Sequence, residues 1–144
     1  MSEPLVRIRS LAKTFGEGET RVDAVRGLDL ELERGEIVLV MGPSGSGKTT
    51  FLSMLGGLLR VTGGEILIDG TDIAALAERA LPPFRARTFG FIFQDFNLLS
   101  ALSARENVEV ALNIAGVKGG PARERAETLG KAMGLGDRLD FPVE

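Results

Sequence analysis

The sequence predicts an α/β fold in which an antiparallel β layer precedes a strand, a glycine-rich loop and a helix. Residues 5–15 and 22–36 alternate apolar and polar side chains on either side of the loop "GEGET", as half-buried strands do. Residues 37–41, "IVLVM", are continuously apolar, which is typical of a strand covered on both faces. Residues 48–59 then carry apolar side chains at helical spacing.

Three shorter elements follow. The stretch "VTGGEILIDGTDI", residues 61–73, predicts a strand between glycine-containing turns. Residues 75–81, "ALAERAL", predict one or two helical turns ended by Pro82 and Pro83, because proline breaks a helix interior. Residues 87–94, "RTFGFIFQ", predict a strand rich in aromatic side chains.

Two helices are predicted in the last third of the chain. Ser103 is the expected N-cap of the first helix, and Glu106 lies three residues on, as its capping-box partner should. The apolar face predicted for this helix is Val108, Ala111, Leu112 and Ala115. The face predicted for the last helix, within 122–135, is Ala122, Ala126, Leu129 and Met133. Glu127 and Lys131 are spaced for an ion pair on it.

Composition limits the classes of function. The chain has 144 residues, is 44% hydrophobic and 26% charged, and shows no repeat or linker, so residues 1–144 are predicted to form one soluble domain. The net charge of −3 argues against nucleic-acid binding. The absence of cysteine and histidine excludes thiolate chemistry and the commonest general base. We expect a cytoplasmic protein, since "MSEPLVRIRS" lacks the pattern of a signal peptide.

The segment "GPSGSGKTT", residues 42–50, fits the phosphate-binding pattern G-x-x-x-x-G-K-[ST]. Gly45 and Gly47 permit backbone angles that turn successive amides inward, and the following helix points its positive end at the same place. We expect Lys48 to contact the outer phosphates and Thr49 to hold Mg²⁺. The predicted cofactor-binding residues of this loop are Gly42, Ser44, Gly45, Ser46, Gly47, Lys48, Thr49 and Thr50.

The alternative interpretation of this loop is a flexible glycine-serine turn. The predicted strand before it and the helix after it favour phosphate binding. The motif by itself indicates only nucleotide binding, because kinases, GTPases and motor ATPases share it.

Longer stretches resemble the nucleotide-binding subunit of ATP-binding-cassette (ABC) transporters over essentially the whole chain. They are "LAKTFGEGETRVDAVRGLDLELERGEIVLVMGPSGSGKTT", "GGLLRVTGGEILIDGTDI" and "RTFGFIFQDFNLLSALSARENVEVAL". The strongest likeness is to the lipoprotein-releasing and macrolide-export branch, with the cell-division ATPase nearby. The resemblance implies a P-loop NTPase core with an N-terminal antiparallel β layer, truncated before the family's signature motif.

The resemblance implies roles for further residues. Phe15 lies where the family places an aromatic ring against adenine, although an ordinary core phenylalanine is the alternative. Gln94 corresponds to the glutamine that touches Mg²⁺ and the attacking water; the alternative is a polar residue at a strand end. Lys48 and Gln94 are thus the predicted catalytic residues, and Thr49 and Gln94 the predicted metal ligands. The segment 95–102 would meet the membrane subunit through Leu98, Leu99 and Leu102, unless these are buried locally.

The resemblance also implies ATP and Mg²⁺ as cofactors and two protein partners. One is a transmembrane permease, which would hold the protein at the inner membrane; the other is a second ATPase subunit in a head-to-tail dimer. Residues 1–144 contain no "LSGGQ", no apolar strand ending in the metal-binding aspartate and its catalytic glutamate, and no histidine. We therefore expect this stretch alone to bind ATP without hydrolysing it.

We also expect exposed apolar faces at "IVLVM" and "FGFIF", and with them poor solubility or dimerisation. Two other functions stay open on the sequence alone. One is a nucleotide-binding module that does not hydrolyse; the other is a different P-loop enzyme, such as a small kinase.

Overall fold

The computed structural model describes residues 3–143, which form two compact units that divide after Arg85. Besides three short 3₁₀-helices, this part of the chain contains four strands and four α-helices. Their order is β1 (Val6–Phe15), β2 (Val22–Leu32), α1 (Lys48–Leu55), β3 (Gly63–Ile68), β4 (Thr71–Asp72), α2 (Leu81–Thr88), α3 (Ala104–Ile114) and α4 (Gly120–Ala132). No helix within residues 3–143 has the length and apolar character needed to cross a membrane.

The first unit is built on an antiparallel sheet with the strand order β2-β1-β3-β4. Its register pairs Val6 with Leu32 at one end of β1 and Phe15 with Val22 at the other. The alternating pattern turns one face of the sheet inward, where apolar side chains form a core with α1. The most deeply buried of these side chains are Ile8, Leu11, Met54 and Ile66. The predicted antiparallel layer is therefore confirmed.

The strands predicted at 37–41 and 87–94 are not formed. Neither segment pairs with any of β1 to β4. A β-strand requires backbone hydrogen bonds to a neighbouring strand. Ile37 is 96% exposed and Ile92 is 103% exposed, relative to a reference extended residue. The expected exposure of apolar side chains is thus confirmed, while the assignment to strands is wrong. The aromatic rings of Phe91 and Phe93 instead stack on each other, 5.7 Å apart.

Two helix boundaries differ from the sequence prediction. Pro82 and Pro83 lie in the first turn of α2 instead of ending a helix. Because first-turn N–H groups have no acceptor within the helix, a proline there costs no helical hydrogen bond. Helix α1 ends at Leu55, before Gly56 and Gly57, and so does not extend to residue 59. Gly57 has a φ of 64°, which a helix cannot continue through.

The second unit centres on α3 and α4. Ser103 caps α3, and the predicted capping box is confirmed: the Glu106 amide donates to Ser103 Oγ at 3.2 Å, and the Ser103 amide donates to Glu106 Oε2 at 2.7 Å. These bonds make the pKa of Glu106 lower than its ordinary value, since the Ser103 amide and then its hydroxyl donate to the carboxylate.

The face that α4 buries is smaller than predicted. Ala122 and Ala126 are buried as expected, but the third buried position is Gly130, and Leu129 and Met133 are exposed. A Cβ on Gly130 would lie 2.9 Å from Leu139 Cγ, so only glycine lets the Leu139 side chain pack against the helix. The sequence pattern could not show this contact, because the partner lies outside the helix.

An ion-pair network joins α3, α4 and the segment that follows α4. Arg105 faces Glu109 at 3.6 Å, Glu127 at 3.5 Å and also Asp140. Among the described residues, the ion-pair partners of Glu127 are Arg105 and Arg123, instead of the predicted Lys131. The hydrogen bond from Arg123 and, to a smaller extent, the contact with Arg105 lower the pKa of Glu127 below its ordinary value.

Candidate functional site

The glycine loop enters α1 through Gly47, which is the N-cap of the helix. Gly47 has a φ of 88°, in the left-handed region where other L-residues are strained. A Cβ at this position would also overlap the carbonyl oxygen of Ala24 on β2. The loop therefore approaches the sheet as closely as backbone atoms allow, and both the angle and the space require glycine.

The remainder of the loop is a tight turn. Gly45 has a φ of 79°, and the Ser46 amide donates to the Pro43 carbonyl at 3.3 Å. A Cβ on Gly42 would lie 2.6 Å from Ser46 Oγ, so a larger residue at 42 would push this hydroxyl aside. Ser44 lies at the tip of the turn and is exposed. Gly45 and Gly47 thus both adopt the backbone angles that the sequence predicts for them, while phosphate binding by the loop stays a prediction.

Lys48 folds its side chain back over the loop. Its Nζ donates to the carbonyl oxygens of Gly42 and Pro43, both at 2.7 Å, and lies 3.4 Å from Ser46 Oγ. The ammonium group is therefore held on the inner side of the loop by oxygen acceptors. A phosphate oxygen offers the same kind of acceptor with a full negative charge.

The N-terminus of α1 is open toward the same loop. No side chain caps it, and the first intrahelical bond runs from the Phe51 amide to the Gly47 carbonyl at 2.8 Å. The amides of the preceding residues, Lys48 to Thr50, therefore have no acceptor within the helix, and the helix dipole adds partial positive charge there. Thr49 is exposed, and Thr50 is half-buried. Buried Phe51 and Met54 fix the helix against the sheet.

An open groove of about 640 Å³ adjoins the loop. One wall is the face of β2 from Ala24 to Leu30, and the others are residues 38–43 and the start of α1, including Lys48. The lining is mainly apolar, with the loop and the lysine contributing the polar groups. Such a combination of an apolar surface and a few convergent polar groups is typical of ligand-binding clefts.

Phe15 ends β1 at the edge of the first unit, and its side chain is 42% exposed. The ammonium group of Lys13 lies 5.0 Å from the centre of its ring. Next to the ring, Thr14 Oγ1 donates to Asp23 Oδ1 at 2.7 Å. This hydrogen bond and, to a smaller extent, the one from Arg21 lower the pKa of Asp23 below its ordinary value. Phe15 is thus an exposed ring at the end of a paired strand, and it is not the buried core phenylalanine of the alternative interpretation.

Gln94 belongs to the second unit, where it is exposed at a bend after Phe93. The structure brings the residues of the glycine loop together in the first unit. Gln94 belongs to the other unit, and its role at the site stays a prediction. Leu98 and Leu99 are 51% and 50% exposed, and Leu102 is half-buried, so the first two are not buried locally.

Asn107 is a residue that the sequence interpretation missed. Its Oδ1 accepts from the Leu99 amide at 2.8 Å, and its Nδ2 lies within hydrogen-bonding distance of the carbonyls of Leu99, Leu102 and Ser103, at 3.1, 3.3 and 3.0 Å. One side chain of α3 therefore shapes the segment that carries the exposed leucines. An asparagine one turn into a helix hardly indicates such a role in the sequence, because its hydrogen-bond partners are backbone groups, which every residue has.

The glycine loop, the open helix N-terminus and the inward lysine define a P-loop protein. The family model for the ABC transporter matches residues 25–144, and the chain belongs to this family as an ATP-binding component. The chain is 45% identical over 137 residues to the macrolide export ATP-binding/permease protein MacB of Brucella abortus, covering 95% of this chain and 21% of that protein. It is 44% identical over 135 residues to the lipoprotein-releasing system ATP-binding protein LolD of Syntrophus aciditrophicus, covering 94% and 60%.

A solved structure gives the same result. The dimeric ATP-binding cassette MJ0796, in a post-hydrolysis state bound to ADP and Pi, superimposes with a TM-score of 0.83 at 38% identity. The alignment covers 94% of this chain and 60% of that one. This chain thus spans about a fifth of the MacB relative and three fifths of the other two. The predicted fold class, an α/β P-loop ABC ATPase core with an antiparallel β layer, is confirmed.

Proposed function

We propose that this chain binds Mg-ATP through residues 42–50 and supplies the energy for macrolide export or lipoprotein release. The observation that carries the proposal is the geometry of the loop: two glycines with positive φ lead into an uncapped helix, and Lys48 faces inward over them. This arrangement collects backbone N–H donors and one full positive charge around a small volume, as a triphosphate requires.

The residues present fit a magnesium nucleotide. The amides at the start of α1 and Lys48 would hold the phosphates, and the exposed Thr49 hydroxyl would be the ligand to Mg²⁺ from the loop. For Gln94, a role at the ion and the attacking water stays a prediction that rests on the resemblance to the family. Bound Mg²⁺ would neutralise charge that develops on the phosphate oxygens.

Two partners are proposed from the relatives. MacB is named an ATP-binding/permease protein, and the cassette structure is dimeric, so we infer a transmembrane permease and a second ATPase subunit arranged head to tail. The permease would hold the ATPase on the cytoplasmic face of the inner membrane. The exposed Leu98 and Leu99, on a segment braced by Asn107, support a docking role for 95–102.

Turnover is a separate part of the proposal. We propose that residues 1–144 alone bind Mg-ATP without measurable hydrolysis, since phosphoryl transfer needs a positioned water and further charged groups. A nucleotide-binding module without hydrolysis is therefore the second candidate for this stretch.

The test is calorimetric titration of the chain with Mg-ATP. Lys48→Ala removes the positive charge that faces the phosphates, so we expect its affinity to fall by at least about 100-fold. Lys118→Ala, which removes an exposed loop lysine of the second unit, is the matched control and should bind as the wild type does. Equal affinities of the wild type and Lys48→Ala would contradict the proposal.

A further inference from the structure

The first turn of α3 is held from outside the helix by the part of the chain that follows α4. The Ala104 amide donates to the Phe141 carbonyl at 3.1 Å, and the Arg105 amide donates to the Leu139 carbonyl at 2.8 Å. A helix cannot itself supply acceptors for these first N–H groups. Residues 139–142, here called the anchor segment, therefore complete the N-terminus of a helix that begins much earlier in the chain.

The side chain of Arg105 holds the same segment. Its guanidinium contacts Asp140 of the anchor segment, and it lies 3.5 Å from Glu127 on α4 and 3.6 Å from Glu109, one turn along α3. Because the Arg105 side chain is only 16% exposed, water and salt screen these contacts less than they screen an ion pair on an open surface. One largely covered arginine thus joins the anchor segment to both helices.

The same turn of α3 also holds the leucine segment, defined as residues 98–102. Asn107 accepts from the Leu99 amide at 2.8 Å, and its Nδ2 lies 3.1 Å from the Leu99 carbonyl and 3.3 Å from the Leu102 carbonyl. The Asn107 amide itself donates to the Ser103 carbonyl at 3.0 Å, so the side chain keeps this position only while the first turn is helical. The leucine segment and the anchor segment are distant in the sequence, yet they share one turn of helix.

We propose that the first turn of α3 couples the order of the leucine segment to the order of the anchor segment. The turn has a helical and a frayed state, and both segments favour the helical one. When the anchor segment detaches, the amides of Ala104 and Arg105 lose their acceptors, so the turn frays and Asn107 no longer faces the Leu99 backbone. By linkage the reverse also holds: a leucine segment that is kept in place stabilises the turn, and with it the anchor segment.

The coupling gives docking at the leucine segment a consequence inside the chain. An apolar partner that binds Leu98 and Leu99 orders residues 139–142 without contacting them. This consequence rests on the proposed function, in which a permease is that partner. The coupling itself needs neither nucleotide nor permease, so it is measured on the chain alone.

Amide hydrogen exchange, followed by NMR, tests the coupling. Arg105→Met keeps the aliphatic stem and removes the contact with Asp140, so we expect the Leu99 amide to exchange about three- to tenfold faster. Arg123→Met is the matched control. It removes another guanidinium that contacts Glu127, from a position on α4, and it should leave the exchange of Leu99 unchanged.

The reciprocal experiment starts from the other side of the turn. Asn107→Ala should accelerate exchange of the Arg105 amide, which donates to Leu139, by a similar factor. An unchanged rate at Leu99 in Arg105→Met, or at Arg105 in Asn107→Ala, would overturn the inference. Equal acceleration throughout α4 would also overturn it, because the unit would then open as a whole and not through the first turn of α3. None of these outcomes bears on ATP binding, which Lys48→Ala tests separately.

Discussion

Gly47 packs against the carbonyl oxygen of Ala24 so that a Cβ on Gly47 would overlap this oxygen, and no side chain fits between the glycine loop and strand β2 at this point. The φ of 88° at Gly47 adds a second requirement for glycine at the same residue. The sheet of the first unit thus sets the position of the loop, and through it the direction in which α1 begins.

Gly47→Ala should therefore both destabilise the first unit and weaken ATP binding. The left-handed backbone costs about 1–2 kcal/mol for a residue with a Cβ, and the overlap with Ala24 adds a displacement of the loop. Denaturant unfolding and calorimetric titration measure the two effects.

The matched control for this substitution is Gly35→Ala. Gly35 has a φ of 79° and open space around it, so it separates backbone strain from overlap. We expect Gly35→Ala to lower the free energy of unfolding by the strain alone and to leave ATP affinity unchanged. A Gly47→Ala protein that matches Gly35→Ala in both measurements would show that the contact with Ala24 is unimportant.

The capping box of α3 predicts a dependence on pH. Because the Ser103 donors lower the folded pKa of Glu106, their stabilisation is fully present above the unfolded pKa of a glutamate, about 4.3. It is lost as the pH falls through the lower, folded pKa. A ¹³C NMR titration of the Glu106 carboxyl should show this depression, and Ser103→Ala should return the pKa toward its ordinary value. An unchanged pKa in Ser103→Ala would assign the depression to another cause.

Asn107→Ala should loosen the segment that carries Leu98 and Leu99. The side chain bonds to backbone groups of Leu99, Leu102 and Ser103, and hydrogen bonds of this kind contribute about 0.5–1.5 kcal/mol each. We expect faster amide hydrogen exchange at Leu99, whose N–H donates to Asn107. Asn113→Ala, at an exposed position of the same helix, is the control and should leave this exchange rate unchanged.

Gly130→Ala should destabilise the second unit, although alanine is the better helix former. The new Cβ would meet Leu139, and overpacking of this kind costs about 1–3 kcal/mol. Gly120→Ala makes the same change in the same helix with open space around it, so it should be neutral or slightly stabilising. Equal unfolding free energies for the two variants would contradict the packing of Leu139 against α4.

The sequence predicts those features that depend on neighbours along the chain. The alternation in residues 5–15 and 22–36 predicts the hairpin, Ser103 and Glu106 predict a cap, and residues 42–49 predict the glycine loop; the structure contains all three. Each is local, because the partner groups lie within a few residues or follow a fixed period. The resemblance to ABC transporters adds the family, which the comparisons confirm.

Only the tertiary structure decides the features whose partners lie far apart in the sequence. The patterns at 37–41 and 87–94 predict strands, yet these segments pair with none of the four described strands, because a pattern alone does not provide a neighbouring strand. The same reason applies to Gly130 against Leu139, to Asn107 beneath Leu99 and to Arg105 beside Asp140. Caps, turns and periodic patterns depend on residues that are neighbours in the sequence. Strand pairing, close packing and hydrogen bonds to distant backbone groups form only when separate segments of the chain come into contact.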